Sequence, residues 1–208
     1  MASRLFTALR LLLLASSLIL SAPAWADDGP GTSAVRRANE GVKALLEQKP
    51  APGSAEEKQL ASRISTQLQG FLDVAELGQR ALGGHYEKLS PAQRKEYLAL
   101  LRELVEANYI KAMRSNSTYE VRYLEEKEQD GNRLVTTELV LTRNGRPEVI
   151  SVDYRLRKDG DRWRAFDLVT DGVGLVENYR AQFNQIIAKE GVSGLLDRMR
   201  KKKAQNGP

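Results

Sequence analysis

Apolar positions change period near residue 117, and that change divides the chain into a helical half and a stranded half. Ala34, Val35, Ala38, Val42, Leu45 and Leu46 form one stripe at helical spacing, stopped by Lys49-Pro50-Ala51-Pro52-Gly53. Ser54 with Glu57 three residues on is a capping-box pattern, and Leu60, Ala61, Ile64, Leu68, Phe71 and Leu72 follow as a second helix. Asp73 reads as the N-cap of a short helix carrying Val74, Leu77, Ala81 and Leu82, which Gly83-Gly84 ends. Ser90, Pro91 and Gln93 open the next helix, to about Arg114. Its apolar residues, Tyr97, Leu98, Leu100, Leu101, Leu104, Val105, Tyr109, Ile110 and Met113, cover most of its circumference. Such a helix is buried on several sides, by core elements or around a ligand cavity.

From Ser117 the pattern alternates. Tyr119, Val121 and Tyr123 alternate with charged residues, Asp130-Gly131 is a hairpin signal, and Leu134 to Thr142 is rich in Val, Thr and Leu. Asn144-Gly145 marks a second turn before the alternating Ile150, Val152, Tyr154 and Leu156, and Asp159-Gly160 a third before Trp163. The prediction is an antiparallel four-stranded meander packed on a helical layer, an α+β class. Trp163 and Phe166 have opposite parity, so the last strand is either buried on both faces or bulged. At Asp171-Gly172 this strand turns a corner into a helix with the stripe Leu175, Val176, Tyr179, Phe183, Ile186 and Ile187. That helix is predicted to end near Glu190-Gly191, and Leu195, Leu196 and Met199 to mark a last short helix.

The N-terminus stands outside this fold. Arg4 and Arg10, the apolar run Leu11 to Leu20 and Ala24-Trp25-Ala26 have the order of a signal peptide, predicting cleavage after Ala26 and one domain over 27–208 with a basic tail. An uncleaved anchor is the alternative; a lipoprotein anchor would need a cysteine, and the chain has none. Zero cysteines also exclude disulfides and thiolate chemistry. The formal charge of +5 falls to +3 without the two signal arginines, 30 Lys+Arg against 27 Asp+Glu, too mild to imply nucleic acid. Arg198, Arg200, Lys201, Lys202 and Lys203 cluster at the end, as a solvated helix terminus or a patch for transient contact with an anionic membrane surface.

Chemistry-bearing motifs are sparse. His85 is the single histidine, so zinc-type metal sites and Ser/His/Asp systems lack parts. Asp153, Asp167, Asp171 and Glu177 contain the makings of a carboxylate pair, although a turn explains Asp171 and a helix start explains Glu177. Gly172 and Gly174 lack a phosphate-loop context.

The segments FLDVAELGQRALGGHYEKLSPAQRKEYLALLRELVEANY (Phe71 to Tyr109), NGRPEVISVDYRLRK (Asn144 to Lys158) and WRAFDLVTDGVGLVENYRAQF (Trp163 to Phe183), behind an export signal, resemble the MlaC and toluene-tolerance family. One departure is Gly174, where the family more usually has a serine to cap the final long helix. The resemblance implies a monomeric periplasmic phospholipid carrier with an apolar cavity between helices and sheet. It implies phospholipid as cargo, no cofactor and no catalytic residues. The implied partners are an inner-membrane ABC transporter complex and an outer-membrane lipoprotein complex, in the maintenance of outer-membrane lipid asymmetry.

A carrier must nearly match the water-to-apolar transfer of its cargo. Two acyl chains of about 15 methylenes, at about 0.8 kcal/mol each, represent roughly 24 kcal/mol. Candidate wall residues are Leu72, Leu77, Leu82, Leu101, Leu104, Val105 and Tyr109 from the helices, Val152, Tyr154 and Phe166 from the sheet, and Val173, Val176, Tyr179 and Phe183 from the corner. Each also reads as plain core. The same scaffold suits another hydrophobic cargo such as a hopanoid; a small exported lipid- or glycan-acting enzyme and a protein-binding adaptor are the further alternatives.

Overall fold

The computed structural model describes residues 28–51, 53–115, 119–143 and 145–206, so the predicted signal peptide and Asn144 lie outside the described residues. Helices α1 (Pro30–Leu46), α2 (Ala55–Phe71), α3 (Val74–Leu82) and α4 (Pro91–Ser115) precede strands β1 (Tyr119–Gln129), β2 (Asn132–Arg143), β3 (Arg146–Asp159), β4 (Arg162–Thr170) and β5 (Val173–Gly174); α5 (Leu175–Asn206) ends the chain.

The helix starts follow the capping chemistry of the sequence. Ser90 Oγ accepts from the Gln93 N–H at 3.2 Å while the Gln93 side chain accepts from the Ser90 N–H at 3.0 Å, a reciprocal box. Asp73 caps α3 through the Glu76 N–H at 3.1 Å. At α2 the box is displaced: Ser54 Oγ accepts from the Glu57 N–H, but the Glu57 carboxylate reaches the Gly53 N–H at 2.7 Å. The Ser54 N–H is already committed to the Ala51 carbonyl at 3.1 Å. Leu60, Ile64, Leu68 and Phe71 face the core, whereas Ala61 faces solvent.

The sheet is antiparallel in the order β1-β2-β3-β4-β5, five strands where four were predicted. Asp171 and Gly172 both adopt left-handed backbone, φ 47° and 83°. The corner is therefore a two-residue hairpin turn, and Val173 and Gly174 pair with Thr170 and Val169 before α5 starts. A bulge resolves the parity of β4: Arg155 faces Asp167 but Leu156 faces Ala165, which leaves Phe166 as the extra residue. Phe166 lies with Asp167 on one side, where the Arg80 guanidinium sits 4.3 Å from its ring. Leu72 bridges to Ala165, and the Asp73 N–H donates to the Ala165 carbonyl at 2.7 Å, covering that end of β4. At the far edge of the sheet β1 slips register between Tyr123 and Glu125, and Leu124 points to solvent.

One apolar core joins the helices to the sheet, with α1, α2, α3 and α5 against the strands and α4 packed on α3 and α5. α5 is broken at Gly191, whose φ of 67° and ψ of −175° are nearly exclusive to glycine. The arm beyond it is the predicted last helix. It folds back onto α4, burying Leu195, Leu196 and Met199, with ion pairs Arg200–Glu96 and Lys203–Glu103 at 2.6 Å.

Candidate functional site

The helix-facing side of the sheet is closed at one end and open in the middle. Strand register puts Val135, Tyr154, Leu156 and Ala165 in one region of that face, and all four are buried in the core. Leu168 of β4 sits level with Tyr154, and farther along the same face come Tyr123 of β1 and Val152 of β3 on either side of the buried Thr137, then Val121, Leu139 and Ile150; each of these apolar residues is only half-buried. Beyond them Tyr119 and Leu141 pair across β1 and β2 and are buried again, at 9% and 2% exposure. Among the described residues these two stand outside the contiguous core. Buried packing is thus interrupted by a band of apolar side chains that no neighbour fully covers. Half-covered apolar side chains between two closed regions leave apolar surface that a hydrophobic ligand could cover.

Four tyrosines surround this band. Tyr109 near the end of α4, Tyr119 and Tyr123 of β1 and Tyr154 of β3 lie close enough for each further ionisation to be opposed by the others. Burial is the larger cause in every case. It holds the Tyr109 hydroxyl well above its ordinary value and pushes Tyr119 and Tyr154 up to about 12. All four therefore stay neutral and able to donate hydrogen bonds. Asn39 of α1 spans two of them, donating to the Tyr123 hydroxyl and accepting from the Tyr154 hydroxyl, both at 3.4 Å. The Tyr119 hydroxyl is buried without a hydrogen-bond partner among the described residues. Thr137 gives its hydroxyl to the Val152 carbonyl at 2.8 Å and so presents no free polar group to the band.

The predicted wall residues fall into three groups. Tyr109 and Val152 are half-buried at the band, and Tyr154 borders it at 6% exposure. Leu72, Leu77, Leu82, Leu101, Leu104, Val105, Val176 and Phe183 are buried within the core, with Tyr179 half-buried against it and stacked on Phe183 at 5.3 Å. Phe166 and Val173 lie elsewhere: Phe166 is turned to the side of Asp167 by the bulge, and Val173 is 59% exposed on the β4–β5 hairpin. The same face also carries the half-buried Val121, Leu139, Ile150 and Leu168. Their signal in the sequence was phase, since the tight turns propagate the parity of Val152 and Tyr154 to the neighbouring strands.

Two of the four candidate acidic residues are committed locally, while one carboxylate oxygen of Asp153 is buried without a hydrogen-bond partner among the described residues. Asp167, 1% exposed, accepts from the Val176 N–H at 3.0 Å and from Arg155 at 3.1 Å. Asp171 accepts from the Ser151 N–H at 3.2 Å. His85 is half-buried in the 3-10 turn Gly83–Lys88. Among the described residues no three His, Cys, Asp or Glu side chains gather as a metal site would require, and no described helix is long and apolar enough to cross a membrane.

Comparison with known proteins bears on this geometry. The family described as MlaC protein matches residues 36–201. The intermembrane phospholipid transport system binding protein MlaC of Haemophilus influenzae is 24% identical over 148 residues, 70% of this chain and 69% of that protein. Among solved structures, the phospholipid-binding protein from Ralstonia solanacearum, in complex with a phospholipid, superposes with a TM-score of 0.73 at 24% identity. The match covers 86% of this chain and 100% of that one, and the shared fold is the helical layer on an antiparallel sheet.

Proposed function

The chain belongs to the MlaC protein family, and from that premise we propose that it is a periplasmic phospholipid-binding carrier whose acyl-chain site is the half-covered band between α4 and the sheet. The observation that carries this reading is the interruption of packing between the core and the Tyr119–Leu141 pair. The Haemophilus relative, named for intermembrane phospholipid transport, and the Ralstonia protein, solved with a phospholipid, support it. In this reading Tyr109, Val152 and Tyr154, with Val121, Leu139, Ile150 and Leu168, touch the chains. Leu72, Leu77, Leu82, Leu101, Leu104, Val105, Val176 and Phe183 form the packed layer behind them. The unpaired Tyr119 hydroxyl would find an acceptor in an ester carbonyl, which relieves the cost of an unsatisfied buried group.

Transport places the lipid between two membranes, so the partners in this reading are an inner-membrane ABC transporter complex and an outer-membrane lipoprotein complex. Export with cleavage after Ala26 belongs to the same reading. The direct test is mass spectrometry of the protein purified from the periplasm. Phospholipid extracted from it, and an intact mass that starts at Asp27, are expected. A lipid-free protein that takes none from vesicles would overturn the carrier reading, and a hopanoid as native cargo would change the substrate.

A further inference from the structure

The fold-back at Gly191 opens a second cleft, of about 500 Å³, between α4 and the two arms of α5. Small-molecule sites typically span about 300–1,000 Å³. This cleft lies across α4 from the sheet. Leu104 and Asn108, one helical turn apart, line it, whereas Tyr109 lies among the tyrosines of β1 and β3. Its accessible apolar surface comes from the half-buried Leu175, Tyr179 and Ile186, above the buried Phe183 and Met199. Its rim is cationic and amide-bearing, with Arg198, Lys201, Lys202, Asn178 and Gln182, and no carboxylate is among the lining residues.

The five basic residues of the terminal arm divide by task. Arg200 pairs with Glu96 and Asp197, Lys203 with Glu103, and Arg198 with Glu190, so three of them fasten the arm in place. Lys201 and Lys202 have no ion-pair partner among the described residues, and both line the cleft. Two ammonium groups held in no salt bridge, Lys201 within the field of the Glu190 carboxylate, stand over a narrow apolar floor and complement a ligand with one anionic head and one hydrocarbon chain. An exposed ion pair alone binds weakly, and the floor alone offers only three half-covered side chains.

We infer that this cleft is a second binding site, for a single-chain anionic amphiphile, with its carboxylate or phosphate head at Lys201 and Lys202 and its chain along Leu175, Tyr179 and Ile186. The site is separate from the sheet-side band and does not depend on what that band holds.

The mature protein, with whatever lipid it carries, has two methionines to report on this, Met113 of α4 and Met199 in the cleft. With methyl-labelled methionine, NMR titration uses laurate below its micelle concentration, acetate as the head without a chain, and dodecyl maltoside as the chain without an anion. Laurate is expected to shift the Met199 methyl saturably, about tenfold more tightly than either control. The double variant Lys201→Glu, Lys202→Glu is expected to weaken laurate about tenfold while Tm and co-purified phospholipid stay unchanged. Equal laurate affinity in the variant, equal response to acetate, or a shift of Met113 with Met199 unmoved would overturn the proposal. Phospholipid content, measured on the same samples, reports separately on the carrier reading.

Discussion

The Asp167 carboxylate of β4 accepts a hydrogen bond at 3.0 Å from the backbone N–H of Val176, the second residue of α5. A strand side chain thus does what an N-cap side chain normally does. Gly174, at the cap position, makes room for it: a Cβ there would lie 3.0 Å from Asp167 Oδ2. Asp167→Ala removes the cap and the Arg155 partner together and is expected to destabilise by about 1–3 kcal/mol in denaturant unfolding. Gly174→Ser, which restores the residue more usual in the family, is expected to bring no gain, because the cap is already supplied and the new side chain crowds Asp167.

The break in α5 rests on two glycines. Gly191→Ala forces an L side chain into backbone that costs of order 1–3 kcal/mol. At Gly194 an added Cβ would lie 2.3 Å from the Glu190 Cβ. Both variants are expected to lower Tm and to raise proteolytic cleavage between the two arms, with cleavage mapped by mass spectrometry.

Packing on either side of the apolar band should answer differently to charge. Val152→Asp, at a half-buried band position, is expected to abolish co-purification of phospholipid while circular dichroism and cooperative unfolding persist. Leu101→Asp, at 0% exposure in the core, is expected to abolish folding itself. Retained lipid in Val152→Asp would move the acyl-chain site elsewhere.

Alkaline pH should loosen the molecule through its tyrosines. Burial raises the folded-state values of Tyr119 and Tyr154 from 10.0 to about 12 and that of Tyr109 well above 10.0. Below about pH 10 the phenols are protonated in folded and unfolded chains alike, and their contribution is complete. Above it the unfolded chain loses protons first, so stability falls as pH rises from about 10 through about 12. Urea midpoints across this window check the slope. Tyr154→Phe is expected to make it shallower.

Much of the fold was legible because local chemistry and global packing agree. The reciprocal box at Ser90 and Gln93, the cap at Asp73 and the turn at Asp130-Gly131 are each encoded within a few residues. The extra strand was missed because a two-residue β5 has no room for a period. The side taken by Phe166 was not legible because one bulge inverts it, and parity alone left that choice open. Val173 fell outside the core because the Asp171-Gly172 turn carries it onto an exposed hairpin. The candidate band was legible only as alternation. Whether Val152 or Leu101 meets a neighbour depends on where α4 sits relative to the strands, a distance that no short-range pattern encodes.

The slip at Leu124 bears on how this molecule behaves in a crowd. Among the described residues no strand pairs with the outer edge of β1, 11 residues long, and such an edge is a template for any passing strand. Leu124 interrupts that template by one residue, and Glu120, Arg122, Glu125, Lys127 and Glu128 place charges along it. An intruding strand would have to match a broken register and desolvate those groups together. The irregularity therefore protects against edge-to-edge aggregation, and deleting Leu124 would straighten β1 at the expense of solubility.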